Sequence, residues 1–241
     1  MKITEYIIKK INRFPKEYIF TYNDLLDEVN NKNAISKALS RMVASGKIRR
    51  LSKGRFYKSE NSPFGELKPG VKQIVKDLLE KDGKTIGYLT GYSIFNKIGL
   101  TTQISNKIQI GTNDIKPKRK REKYQILFVK QKNIISKENI TFLQFLDLIR
   151  FIKKIPNTTV EKSFDILLNK MKKFSSEEID KIINLSFKYS PSTRALFGLM
   201  LFETGLKNKT NKLKNSLNPV SNYKIPEIAK KFNIAKYWNI I

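Results

Sequence analysis

The side chains best suited to chemistry lie between Lys32 and Tyr57. At helical spacing, Lys32, Asn33, Ser36, Lys37, Ser40 and Arg41 share one face. These are short hydrogen-bonding or cationic groups, the types that meet base edges and phosphate oxygens. Arg49, Arg50, Lys53 and Arg55 follow within seven residues. Guanidinium and ammonium groups on such a ribbon suit a row of backbone phosphates. The densest charge run comes later, Lys116-Pro117-Lys118-Arg119-Lys120-Arg121-Glu122-Lys123. Three readings of it stay open: a solvated loop between strands, a second nucleic-acid contact through Lys116, Lys118, Arg119, Lys120 and Arg121, or a grip on another acidic partner. Pro117 argues for an extended arm rather than a helix.

The missing residue types narrow the chemistry. The chain has no histidine and no cysteine. That removes the commonest general base, thiolate metal sites, disulfides and the Ser-His and Cys-His couples. Gly83-Lys84-Thr85 resembles the end of a phosphate loop, but Leu78 stands where the first glycine of that motif belongs. Asp114 before Glu122-Lys123 lacks the spacing of a metal-dependent nuclease. Glu177, Glu178 and Asp180 open a helix, where they serve its dipole. Tyr88 and Tyr92, beside Gly87 and Gly91, read as core rather than pocket lining. The expectation is a non-enzyme with no catalytic residue, metal or cofactor. A carboxylate-dependent nuclease is the weakest alternative, and a winged domain that docks proteins is another.

Local patterns position the first group. Ile3, Tyr6, Ile7, Lys10 and Ile11 predict a helix that Phe14-Pro15 ends. Ile19-Phe20 predicts a short strand. Thr21 predicts a cap for a helix from Tyr22 to Glu28, with Asp24 placed as in a capping box. Asn30-Asn31 predicts the turn before the next helix. On that helix Ile35, Ala38, Leu39, Met42 and Val43 make the apolar stripe, and Gly46 ends it. Lys47–Leu51 and Arg55–Tyr57 predict a hairpin about Ser52-Lys53-Gly54. Ile48 and Leu51 cannot both face one side of a regular strand, so the pattern leaves open which arginine points outward. The order of elements predicts a winged helix-turn-helix that binds double-stranded DNA.

Net charge is +27 over 241 residues, a field that draws polyanions whatever the fold. Lysine and asparagine usage has the look of an AT-rich coding bias, which leaves the arginines at 49, 50, 55, 119 and 121 as the more telling charges. Hydrophobic content of 40% with 15 Phe argues for a folded chain. Its length predicts two domains, residues 1–60 and 61–241, joined by a polar linker at 59–65. The second is expected to be mixed α/β to about 140 and mainly helical afterwards, so the whole is α+β. Within it, Pro69–Glu80 and Ser93–Ile98 predict helices, and Lys107–Gly111 and Tyr124–Lys130 predict strands. Helical stripes follow at Leu143–Ile152, Phe164–Met171, Ile179–Tyr189 and Pro191–Glu203. Asn208–Ser216 reads as a loop, and Trp238 should pack back onto the body. No leader or membrane span is legible, so a cytoplasmic protein is expected.

GKIRRLSKGRFY (46–57), YLTGYSIFNKIGLTTQ (88–103), SPSTRALFGLMLFETG (190–205), LNPVSNYKI (217–225) and KYWNI (236–240) resemble the AbiEi-like antitoxins of type IV toxin–antitoxin systems. The resemblance implies a winged-helix autorepressor acting on its own promoter at inverted repeats. It also implies an antitoxin domain directed at a separately encoded nucleotidyltransferase-type toxin, with no stable complex expected.

Overall fold

The computed structural model describes residues 3–15, 17–26, 31–58, 60–63 and 65–241. Its elements in chain order are α1 (Ile3–Arg13), β1 (Ile19–Thr21), a 3-10 turn (Asn23–Leu25), α2 (Lys32–Ala44), β2 (Arg49–Ser52), β3 (Arg55–Tyr57), β4 (Glu60–Ser62) and β5 (Gly65–Leu67). Then come α3 (Val71–Ile74), α4 (Lys76–Leu79), β6 (Glu80–Lys81), β7 (Lys84–Thr85), β8 (Gly87–Thr90), α5 (Tyr92–Phe95), β9 (Lys107–Thr112), β10 (Arg119–Arg121) and β11 (Tyr124–Lys130). The remainder is helical: α6 (Ile140–Arg150), α7 (Val160–Met171), α8 (Ser176–Ser186), α9 (Pro191–Glu203), α10 (Asn211–Asn215) and α11 (Pro226–Lys231), with 3-10 turns at Ile152–Lys154, Lys207–Lys209 and Asn233–Trp238. The fold is mixed α+β. Two compact units divide it: residues 1–77 with 120–124, and residues 78–119 with 125–241.

In the first unit, β1, β3 and β2 form an antiparallel sheet in that order. Its core takes Ile7 and Ile11 from α1, Phe20 from β1, and Ile35, Ala38, Leu39 and Met42 from α2, with Leu25, Ile48 and Phe56. These are the apolar stripes of the sequence, and burying each side chain contributes about 1.5–3 kcal/mol before entropy is counted. The unit runs past the expected limit of 60. The expected linker instead holds the hairpin β4–β5, and its Glu66 meets Arg49 and Tyr57 of the unit's own sheet. Ser59 and Phe64 of that stretch, and Asp27, Glu28 and Asn30 of the predicted second helix and turn, lie outside the described residues. Within the described part that helix is only the 3-10 turn at Asn23–Leu25. Asp24 accepts from the backbone N–H of Thr21 at 2.7 Å, the second half of the expected capping box. The Thr21 hydroxyl, however, donates to the same carboxylate rather than capping the turn.

In the second unit β8 runs antiparallel to β9, and β9 parallel to β11. Helices α6 to α9 follow as the sequence predicts, and α8 opens on a full capping box between Ser175 and Glu178. Predicted helices at 69–80 and 93–98 come out shorter: the first breaks at Val75 (φ −115°), and the second covers only Tyr92–Phe95. The expected loop at 208–216 is a correction. It forms α10, because Leu213 and Thr210 are buried and tie a polar segment down. Trp238 is fully buried against α9, where a Cβ on Gly198 would come within 2.2 Å of the indole. Only glycine leaves room for that ring. The chain's end is held by a short parallel bridge, Tyr223 to Ile240.

Candidate nucleic-acid interface

Asn31 caps α2, its side chain accepting from Ala34 N at 3.0 Å. The capped start fixes the helix phase. Lys32, Asn33, Lys37, Ser40 and Arg41 are then exposed and Ser36 half-buried, while Ile35, Ala38, Leu39 and Met42 go to the core. The helix carries no acidic residue. It presents hydrogen-bonding and cationic groups on a single face, in order, along more than two turns.

The hairpin settles what the sequence left open. Cα pairing runs Arg49 with Tyr57, Arg50 with Phe56 and Ser52 with Arg55, and the register shifts between Arg50 and Ser52. The extra residue is Leu51. A bulge of this kind lets Ile48 and Leu51 both be buried, at 0% and 4% exposure, which regular alternation forbids. Partners directly across the ladder share a face. Arg50 therefore lies on the side of Phe56, exposed, with its guanidinium 5.7 Å from the Phe56 ring centre. Arg49 and Arg55 lie on the other side.

There the arginines have partners. Arg49 Nε lies 3.2 Å from Glu66 in an exposed pair, the kind that contributes little. Arg55 makes a two-point contact with Asp77, one arm at 2.6 Å and the other shorter. Arg121 meets the same carboxylate at 2.7 and 2.9 Å and also donates to Ile74 O. Burial alone would raise the Asp77 pKa, but the hydrogen bonds and charges of Arg121 and Arg55 outweigh it and hold the carboxyl well below the usual range. Tyr57 is pushed up to about 12, first by burial and then by Glu66 and Glu122.

Two assignments from the sequence are thus corrected. Arg121 is buried, at 6% exposure, and Arg55 is bound to Asp77, so both serve the unit's own packing rather than an open grip. Of the hairpin cations, Arg50 and Lys53 at its tip are exposed and make no ion pair among the described residues. Within 116–123, Lys118, Arg119 and Lys120 are exposed, Lys116 is half-buried, and Lys116 and Arg119 lie over Phe128 at 5.9 and 6.0 Å. Residues 119–121 form β10, so this part is ladder rather than arm.

A second polar group went unread in the sequence. Asp147, fully buried on α6, accepts from Tyr88 and Thr90 hydroxyls at 2.7 Å each and from Tyr189 at 3.1 Å. Gln131 donates to both tyrosine oxygens, at 2.9 and 2.8 Å, and accepts from Asn133. Burial pushes the Asp147 pKa up, against the lowering effect of the hydroxyls and of Arg150. The signal was a lone acid in the apolar run FLQFLDLI. Among the described residues no three of the Asp and Glu side chains stand together as metal ligands. No described helix is long and apolar enough to cross a membrane.

No curated protein matches the chain. Its fold is similar to that in the crystal structure of the RV2827C protein from Mycobacterium tuberculosis, with a TM-score of 0.53 and 12% identity over 93% of this chain and 85% of that one. Residues 6–179 match the model of a family of unknown function, DUF6088, and the chain belongs to that family.

Proposed function

We propose that the first unit is a winged helix-turn-helix that binds double-stranded DNA, with α2 in the major groove and the β2–β3 hairpin as the wing. The observation that carries this reading is the acid-free polar face of α2, in the same unit as a hairpin whose Arg50 and Lys53 are exposed. Lys32, Asn33, Ser36, Lys37, Ser40 and Arg41 would read bases and fix register, while Arg50 and Lys53 hold phosphates. Arg49 joins them once it leaves its exposed contact with Glu66. The chain's +27 charge speeds encounter with DNA.

On the resemblance to AbiEi-like antitoxins, the DNA is the protein's own promoter and the bound form is a repressor. The second unit then neutralises a nucleotidyltransferase-type toxin encoded alongside, without forming a stable complex and without catalysis of its own. The place of action is the cytoplasm, where both would be found.

The test is binding of the full chain to its promoter fragment and to a scrambled duplex across a salt series. Promoter preference is expected, with affinity falling steeply as salt rises. Arg41→Ala should cost about 1–3 kcal/mol of discrimination if it pairs with a guanine. In cells, Ser36→Ala with Arg41→Ala should lose repression and keep rescue from the toxin. Binding that ignores both sequence and salt would favour a winged domain that docks proteins.

A further inference from the structure

A cavity of about 270 Å³ opens in the second unit beside the start of α9. Four cations line it: Lys130 at the end of β11, Lys132, Arg150 at the end of α6, and Lys188 after α8. Among the described residues no carboxylate lines it, and none of the four makes an ion pair with one. Like charges gathered on one concave wall repel each other unless an anion lies between them, and a low-dielectric wall focuses their field.

The floor is built and rigid. Gln131 and Tyr189 are 3% and 7% exposed, and both are tied into the Asp147 network through hydrogen bonds of 2.8 to 3.1 Å. Ser190 and Pro191, also on the lining, begin the thirteen-residue helix α9, whose positive end therefore adds to the four side chains. A volume this small lies below the range of ordinary drug-sized pockets and is far too narrow for a duplex. It suits one tetrahedral dianion with a small carrier.

We propose that this cavity binds the phosphate group of a small phosphomonoester such as a nucleoside monophosphate. Arg150 supplies a planar two-point contact and the lysines supply charge. The site is separate from the proposed DNA contacts, so either reading can fail while the other stands.

The experiment is calorimetric titration of the full chain with inorganic phosphate and with AMP, at constant ionic strength set by potassium chloride. One saturable site is expected. Arg150→Gln with Lys188→Gln should weaken it at least about tenfold. Lys162→Gln with Lys172→Gln, two exposed lysines on and just after α7, makes the same charge change and should leave binding intact. Lys132→Gln alone gives a smaller loss and serves if the double variant fails to fold. Heat that never saturates, or equal weakening in both double variants, overturns the proposal. So does weakened duplex binding in Arg150→Gln/Lys188→Gln with no phosphate binding in the parent, which would make the cavity part of a DNA surface.

Discussion

Asp77 in the first unit and Asp147 in the second are the same residue in opposite surroundings. Asp77 lies between two guanidiniums, each touching both carboxylate oxygens, and is held ionised far into acid. Among the described residues Asp147 has no cation within hydrogen-bonding reach; it sits among hydroxyls, and burial pushes its pKa upward. The first works as a charge and the second as a hydrogen-bond acceptor. The difference teaches that an acidic residue is an ion only to the extent that its neighbours make it one. Amide substitution should therefore separate the two sites, where alanine damages both.

The largest effect is expected from Asp147→Ala. It strands the buried hydroxyls of Tyr88 and Thr90 and opens a void, a loss of about 3 kcal/mol readable by chemical denaturation. Asp77→Ala or Asp77→Asn leaves Arg121 buried without a counter-charge. Because Asp77 is itself 36% exposed, the cost should be about 2 kcal/mol, below that of a fully buried pair.

Asp147→Asn should stay within about 1 kcal/mol of the parent. The amide oxygen can take the place that accepts from Tyr88 and Thr90, and the amide nitrogen can donate to Tyr189. The Tyr189 proton then turns fully to Leu143 O, which it already reaches at 3.2 Å. A loss as large as that of Asp147→Ala would show that Asp147 is needed as an ion, and the comparison would break. pH separates the two carboxyls further. The depressed pKa of Asp77 contributes stability that is complete above the ordinary carboxylate value of about 4 and lost as pH falls toward the folded value. The raised pKa of Asp147 works the other way, its contribution being lost as pH rises through the folded value. Urea midpoints across acidic pH should flatten on the low side in Asp77→Asn and on the higher side in Asp147→Asn.

The smallest effect sharpens the division among the cations. Arg50→Ala or Lys53→Ala should each lower the slope of log K against log salt for DNA binding by about one unit. Arg55→Ala should leave the slope alone and cost about 1 kcal/mol of stability instead. An unchanged slope for both Arg50 and Lys53 variants would remove the hairpin from the DNA contact.

Where the sequence was legible, the determinants were local. The stripes of α1 and α2, the capping box of α8 and the proline at the head of α9 all act within a turn or two, and each element lies where they place it. The misfit of Ile48 with Leu51 was visible too, and the bulge is its resolution. Ion pairing was not legible, because Asp77 lies 22 residues from Arg55 and 44 from Arg121. The arginines seemed the more telling charges, yet Arg55 and Arg121 are the ones the fold uses for itself. Composition also misled at 208–216, where one buried leucine among lysines and asparagines suffices for a helix. The cavity cations were invisible for the same reason as Asp77: Lys130 and Lys188 converge only through the packing of β11, α6, α8 and α9.

Trp238, lying in the space that Gly198 leaves, has a practical consequence. It is the single tryptophan of the chain, and it belongs to the second unit. Its indole is sealed from water, so its emission should be blue-shifted in the folded protein and move red when that unit opens. The first unit carries no indole at all and is silent under selective excitation. The native molecule thus holds an optical probe that watches one half alone, and a titration that changes its colour must have reached the core behind α9.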